Sequence, residues 1–237
     1  MMDKSIWVIN KENTGSAVDH VVDTFRSALI ERQLKAGDRI PSESELAEYM
    51  GVSRSTIREA MKVLSSFGIV DICRGNGTFI AENDEQVSMD SVLFAFLLAQ
   101  PTREEQLECR RCMERVVYEL AFENATEEDI AALEANYAEL LQLGGNPKLS
   151  AENDLEFHRL LGKSTGNRLI ARLYAYTMNF FAASLASSHV KNEGAAARRV
   201  HKLTIEAIQK RDRALLEQVE AECLRSWSSD AHSLYFE

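Results

Sequence analysis

Two short amphipathic segments joined by a glycine turn, with a glycine-rich hairpin directly after them, restrict the fold of this chain more than any other feature. Ser42 precedes Glu45 by three residues, which is the spacing of a helix-capping box, and Gly51 ends the first segment. Ser53 opens the second segment, whose apolar residues recur at helical spacing. Two helices joined by a short turn that contains glycine are typical of a helix-turn-helix.

The hairpin follows the second helix without a break. Residues 69–73 and 78–80 have the composition of strands, and residues 74–77 (Arg-Gly-Asn-Gly) favour a tight turn, because Asn-Gly suits the turns that close hairpins. A hairpin in this position predicts a wing, in which Gly75 lets the backbone approach a sugar-phosphate chain. The segments together predict a winged helix-turn-helix.

The second helix has a polar face suited to DNA. Arg54 and Arg58 are four residues apart and share that face, with Ser55 and Thr56 beside them at the helix start. Hydroxyls and free backbone amides at a helix start can bind phosphate, and arginine can reach guanine in the major groove. For the two arginines considered alone, a solvated helix face is the alternative.

A further helix precedes these elements. Val18, Val21 and Phe25 lie on one apolar stripe, and we expect this helix to end near residues 36–37 (Ala-Gly), where a glycine can take a positive φ. Ile40 stands before a proline, so an extended conformation is expected there.

The arrangement resembles the GntR family of bacterial regulators over residues 17–81. The matching segments are Ile-Pro-Ser-Glu at 40–43, Gly-Val-Ser-Arg at 51–54, Ile-Arg-Glu-Ala at 57–60 and Gly-Asn-Gly-Thr-Phe at 75–79. The resemblance implies that a homodimer binds a palindromic operator in double-stranded DNA through the second helix and the wing. By position it assigns the DNA contacts to Arg54, Ser55, Thr56, Arg58 and Gly75. Many members have a DNA-contacting arginine where this chain has Ser44, so one contact is missing.

The rest of the chain has a helical pattern. Residues 82–91 are mostly polar and acidic and are predicted to be a linker, and helical segments follow at roughly 92–100, 103–123, 126–143, 149–163, 167–188, 194–210 and 212–235. We therefore expect a mainly α protein, with a winged helix-turn-helix at 1–81 and an all-α bundle at 92–237. Residues 1–80 hold 10 basic and 11 acidic side chains and the remainder holds 17 and 26, so the acidic bundle should lie away from DNA phosphates.

A few residues of the bundle could carry chemistry. Asp154 and His158 are four residues apart on one helix face, which suits two ligands of one metal but also two surface neighbours. Arg110 precedes a glutamate by four residues, which indicates either a surface salt bridge or, if the arginine faces a cavity, a carboxylate clamp. His201 and Cys223, considered alone, suit structural roles.

Residues 92–226 resemble the ligand-binding domain of the FadR subfamily within the same family. The matching segments lie at 108–114, 125–129, 154–158, 166–167, 201–208 and 211–212. The resemblance implies a divalent metal held by one aspartate and three histidines, and a small carboxylate effector that also meets Arg110. By position the metal ligands are Asp154, His158, His201 and Cys223. Because Cys223 replaces the usual histidine and thiolate suits zinc, we expect a zinc-type site; a metal-free regulator that responds to acyl-CoA is the alternative.

We therefore predict a ligand-responsive transcriptional repressor that senses a small carboxylate such as a sugar acid or hydroxy acid. A metal-dependent all-α enzyme is the alternative from another class, but no general base accompanies the metal-ligand candidates and the winged helix would have no role. No signal-peptide core and no apolar run near the ~20 residues of a membrane span are found, so a cytoplasmic protein with reduced cysteines is expected. Cys109 and Cys112 match C-x-x-C without the context of a redox motif.

Overall fold

The computed structural model describes residues 4–7, 15–73, 75–82, 98–99, 101–143, 146–182, 190 and 194–229. The chain divides into two compact units, Met1–Met89 and Asp90–Glu237. The predicted linker 82–91, apart from its first residue, and most of the predicted helix 92–100 lie outside the described residues.

The described residues of the first unit form a 3-10 helix (Lys4–Trp7) and the α-helices α1 (Ala17–Ile30), α2 (Glu43–Met50) and α3 (Arg54–Ser66). The predicted capping box starts α2: the Ser42 hydroxyl accepts from the Glu45 amide, and the Ser42 amide donates to the Glu45 carboxylate at 2.9 Å. Gly51 ends α2 at a φ of +65°, a conformation that favours glycine. The helix-turn-helix is formed as predicted.

The end of α1 differs from the prediction. The helix ends at Ile30 rather than near residues 36–37. Arg32 takes a φ of +58°, and Leu34 folds back so that its amide donates to the Ala28 carbonyl and its side chain is buried. The helix is therefore ended by a residue in the left-handed conformation and a buried leucine, without a glycine. The predicted end was too late because it was assigned to the first glycine in the sequence after the helix.

The strands of the first unit are β1 (Arg39–Ile40), β2 (Val70–Cys73) and β3 (Gly77–Ile80), paired antiparallel in the order β1-β3-β2. The last two form the predicted hairpin, with Cys73 opposite Gly77 next to the turn. The extended segment expected before Pro41 is paired as an edge strand, so the wing belongs to a three-stranded sheet. The core of the unit is formed by buried side chains that include Val21, Phe25, Ile57, Leu64, Val70 and Ile80.

Throughout the described part of the second unit, the regular structure is helical, which confirms the all-α prediction. The helices are α4 (Arg103–Asn124), α5 (Glu127–Gln142), α6 (Pro147–Lys163), α7 (Arg168–Phe180), α8 (Ala195–Lys210) and α9 (Arg213–Ser229). The described helix α7 ends before the predicted limit at 188, and residues 183–189 lie outside the described part. No helix within the described residues combines the length and the apolar character needed to cross a membrane.

Helix α4 is central to the second unit, because it contacts α6, α7, α8 and α9. Its apolar side chains join a core that includes Val117, Leu133, Phe157, Leu161, Ile208 and Val219. The same helix also buries Arg110 and Glu114, which are 5% and 3% exposed. Charged side chains are seldom buried without partners. Polar groups are therefore expected around these two residues in the interior of the bundle.

Candidate nucleic-acid interface and metal centre

The first turn of α3 carries a cluster of hydroxyl groups. The Ser53 hydroxyl caps the helix by accepting from the Thr56 amide at 3.1 Å, and it lies 2.8 Å from the hydroxyls of both Ser55 and Thr56. Arg54 is exposed beside them and has no ion pair within the described residues. Because the opposite face of α3 is buried, the hydroxyls and this guanidinium lie on the solvent side of the helix.

Arg58 lies on the same exposed face but has a partner on α2. Its Nε and Nη2 atoms donate to Glu43 Oε2 at 3.3 and 3.1 Å. The two side chains are 61% and 40% exposed, and ion pairs at such exposure contribute under about 1 kcal/mol. A polar group of another molecule can therefore replace Glu43 with little loss of free energy. Sequence reasoning did not identify this pair, although Glu43 belongs to the Ile-Pro-Ser-Glu segment; Ser44, beside it, is exposed.

The wing turn requires glycine for conformation rather than for space. Gly75 is exposed and has a φ of +80°, and a Cβ added there would meet no atom within 4 Å. The Asn76 amide closes the turn by donating to the Cys73 carbonyl at 3.0 Å. Gly75 therefore leaves the turn uncovered, so another molecule can approach its backbone; Arg74 lies outside the described residues.

Asp154, His158 and His201 converge in the interior of the second unit. Asp154 and His158 come from α6 and His201 comes from α8. The Nε2 atoms of His158 and His201 lie 3.5 and 2.8 Å from Asp154 Oδ1. One ligand atom of each residue lies within 4.8 Å of the others, and all three residues are buried. Two imidazole nitrogens and a carboxylate oxygen form a donor set suited to a divalent metal.

The outer nitrogens of the two imidazoles have different surroundings. His158 Nδ1 lies 2.6 Å from the Tyr174 hydroxyl, which orients Nε2 towards Asp154 as the outer partner of a metal-binding histidine does. The His201 ring stacks on Phe157, with centroids 3.6 Å apart. His201 Nδ1 is buried without a hydrogen-bond partner in the described part of the chain. The ring is therefore positioned by packing and by its Nε2 contact with Asp154.

Arg110 and Glu114 form a buried salt bridge on α4, which excludes the surface salt bridge that was one of the two alternatives for this pair. Arg110 Nε donates to Glu114 Oε1 at 3.2 Å, and the Arg110 guanidinium also lies 5.3 Å from the centre of the Phe181 ring. Burial raises the pKa of Glu114 to about 7, although the positive charge of Arg110 lowers it, and the charge of Asp154 raises it further. Glu114 therefore interacts electrostatically with Asp154, which is one of the three clustered metal-ligand candidates.

Cys223 occupies a different position from the three clustered ligands. Its sulfur lies 3.2 Å from the Tyr118 hydroxyl and is also hydrogen-bonded to Glu114. Burial raises the pKa of this thiol well above its ordinary value, and a metal-bound cysteine must lose that proton. Among the described residues, the group of mutually close ligand atoms contains Asp154, His158 and His201 without Cys223. The fourth ligand of the zinc-type site thus stays a prediction.

A groove of about 310 Å³ reaches the buried residues of α4 from solvent. Its walls are formed by α4 and α9, and its lining residues are Arg111, Cys112, Glu114, Arg115, Tyr118, Glu220 and Cys223. A molecule in this groove would therefore touch Glu114, the direct partner of Arg110. Cys109 and Cys112 are both exposed. Desolvation by neighbouring groups, with a smaller contribution from Cys112, raises the pKa of the Cys109 thiol and so disfavours its reactive thiolate form.

Both units of the chain match known protein families. Residues 17–80 match the family described as bacterial regulatory proteins, gntR family, and residues 105–226 match the FCD domain. The chain belongs to the GntR family. The two matches confirm the predicted winged helix and the FadR-type helical domain, and they favour the prediction of a regulator over that of an enzyme.

Several GntR-type proteins are similar to this chain. The HTH-type transcriptional regulator LutR of Bacillus subtilis (strain 168) is 31% identical over 60% of this chain and 64% of its own length. The Uxu operon transcriptional regulator of Escherichia coli (strain K12) is 30% identical over 63% of this chain and 59% of its own. The matched region of this GntR protein thus spans less than two thirds of the length of either relative. The solved structure of Streptococcus agalactiae GntR superimposes with a TM-score of 0.64 at 26% identity, covering 88% of this chain and 97% of that one.

Proposed function

We propose that this GntR protein is a ligand-responsive transcriptional repressor. Its homodimer binds a palindromic operator in double-stranded DNA through Arg54, Ser55, Thr56, Arg58 and the wing at Gly75. The helical domain senses a small carboxylate such as a sugar acid or hydroxy acid, and a divalent metal of zinc type supports that site. Dimers of helix-turn-helix proteins read half-sites about one helical turn apart, which is why a palindrome is expected.

The exposed start of α3 carries the DNA-binding part of the proposal. A helix whose first turn presents hydroxyls and an arginine without an ion pair, while its other face is buried, can lie in the major groove without losing its packing. Arg54 and Arg58 are then the base-reading candidates, and Ser55 and Thr56 are the phosphate contacts. The exchange of Glu43 for DNA at Arg58 involves little loss of free energy, because that ion pair is exposed.

The buried polar cluster supports the sensing part of the proposal. Arg110 is a buried cation, and arginine binds carboxylates through two parallel hydrogen bonds. Asp154, His158 and His201 would hold a divalent ion, which when bound supplies a Lewis-acidic contact for an effector oxygen. An effector with a carboxylate is favoured because the interior of the bundle would offer its oxygens two partners, the Arg110 guanidinium and the bound divalent ion.

Selection of duplexes from a random library by the purified protein tests DNA binding. We expect enrichment of a palindrome, and gel shifts on that duplex should show that Arg58→Ala abolishes binding while circular dichroism stays unchanged. Lys62→Ala, also on α3 but paired with Glu59, is the matched control and should retain binding. A library without enrichment, or an Arg58→Ala variant that binds like the wild type, would contradict the proposal.

Metal content and thermal shift test the sensing part separately. Protein purified without a histidine tag should contain a stoichiometric divalent metal, and His158→Ala should lose it. Sugar acids and hydroxy acids should raise the melting temperature of the wild type, and acyl-CoA should not. Absence of the metal from the wild type, or stabilisation by acyl-CoA alone, would favour the metal-free alternative.

A further inference from the structure

Arg39 begins the edge strand β1, beside the wing. Its position in the sheet is opposite Phe79 of β3, and the next residue, Ile40, pairs with Thr78. Ile40 is buried in the core of the first unit, and successive side chains of a strand point to opposite faces of the sheet. Arg39 therefore lies on the outer face of the sheet, where it is exposed.

The Arg39 side chain lies against the backbone of the wing at Gly77. A Cβ added to this glycine would be 3.1 Å from Arg39 Nε and 3.4 Å from Nη2. Gly77 also has a φ of +114°, which disfavours other residues independently. The missing side chain at Gly77 thus leaves room for a guanidinium beside the strand that leaves the wing turn.

Within the described residues, Arg39 lacks the anionic partner that several other cations of its unit have. Arg26 is paired with Asp23, Arg58 with Glu43 and Lys62 with Glu59. Within the described residues the Arg39 guanidinium forms neither an ion pair nor a hydrogen bond. An exposed guanidinium with unused donors, held beside a wing, is suited to an anion supplied by another molecule.

We propose that Arg39 contacts a backbone phosphate of DNA next to the wing, an inference that rests on the proposed DNA binding by this unit. The contact would supply a cation in a unit where Ser44 replaces the arginine of many relatives. A phosphate is favoured over a base because Arg39 lies along the side of the wing strand rather than at the uncovered turn or on α3. Phosphate contacts add affinity without sequence preference.

The salt dependence of DNA binding tests this contact. Dissociation constants are measured between about 50 and about 200 mM salt for the library-selected duplex and for a mixed-sequence duplex, and each phosphate contact contributes about 0.9 to the slope of log K against log salt. Arg39→Gln should lower that slope by about 0.9 for each Arg39 in the complex and should weaken binding to both duplexes by the same factor. Arg39→Lys keeps the charge and should retain the slope.

Arg26→Gln removes the same charge from α1 of the same unit and is the matched control, with an unchanged slope expected. The inference is overturned if Arg39→Gln retains the wild-type slope, if Arg39→Lys loses it as fully as Arg39→Gln, or if Arg26→Gln lowers it equally. A loss confined to the selected duplex would assign Arg39 to base reading instead and also overturns it. If the wild type binds neither duplex, the proposed function fails together with this inference.

Discussion

Glu114 is a residue at which the structure predicts that stability depends on pH near neutrality. Burial raises its pKa from 4.5 to about 7 despite the neighbouring Arg110, so the folded protein holds this proton more tightly than the unfolded chain does. The stabilisation from the proton is complete below about pH 4.5 and is lost as pH rises through about 7. The free energy of unfolding should therefore fall across that interval.

The size of the effect follows from the two pKa values. The interval from 4.5 to about 7, at about 1.4 kcal/mol for each pH unit, corresponds to a loss of about 3 kcal/mol. Glu114→Gln removes this titration. The variant also leaves Arg110 without its carboxylate, which destabilises the fold, but that effect does not change with pH because arginine stays protonated throughout. The difference between the two proteins should thus vary with pH by about 3 kcal/mol.

Urea unfolding followed by far-UV circular dichroism measures this difference. Wild type and Glu114→Gln are compared between about pH 5 and about pH 8, where most of the change falls, with a chelator and a reductant present. Glu123→Gln, an exposed glutamate on the same helix, is the control and should give a pH profile parallel to that of the wild type. Parallel profiles for Glu114→Gln and the wild type would refute the reasoning, because the pKa of Glu114 would then be the same in the folded and unfolded states.

Two further outcomes follow from single hydrogen bonds. Tyr174→Phe removes the hydroxyl that orients His158, so zinc affinity measured by calorimetric titration should fall about 10- to 100-fold, whereas Tyr176→Phe, on the same helix, should leave it unchanged. Equal affinities would show that Tyr174 has no role in orienting the ring. Arg211→Met removes the guanidinium that donates to two carbonyls at the end of α4, and urea unfolding should show a loss of about 2 kcal/mol that Lys210→Met does not share. Equal stability of these two variants would contradict that role.

Local features of the sequence predicted the first unit well. The capping box at Ser42, the glycine turn at Gly51 and the Asn-Gly turn of the wing act over a few residues, and all three are present in the structure. The end of α1 was wrong because it depends on Leu34, which ends the helix by packing into the core. The Arg58–Glu43 pair was missed because it joins residues that are 15 positions apart.

The interior of the second unit was harder to predict, because its geometry depends on which helices meet. Asp154 and His158 share a helix face, but the sequence could not show that His201 on α8 points at the same carboxylate oxygen. Spacing equally could not distinguish an exposed Arg110–Glu114 pair from the buried one observed. No sequence pattern singled out Tyr174, whose hydroxyl lies 2.6 Å from His158 Nδ1.

The arrangement around α4 suggests how a bound molecule can alter the packing of the bundle. Glu114 contacts Cys223 of α9, and the charge of Asp154 on α6 acts on its pKa, so groups from separate helices depend on one another. A buried polar group that loses its partner costs about 1–3 kcal/mol, and a preference of that size for one packing changes its population by about 5- to 150-fold. We expect an effector that engages Arg110 to change the pairing of Arg110 with Glu114 and so to favour the packing that satisfies both side chains. An effector that binds equally well to both packings would shift neither, so Arg110→Met should uncouple effector from DNA binding even where some effector affinity remains.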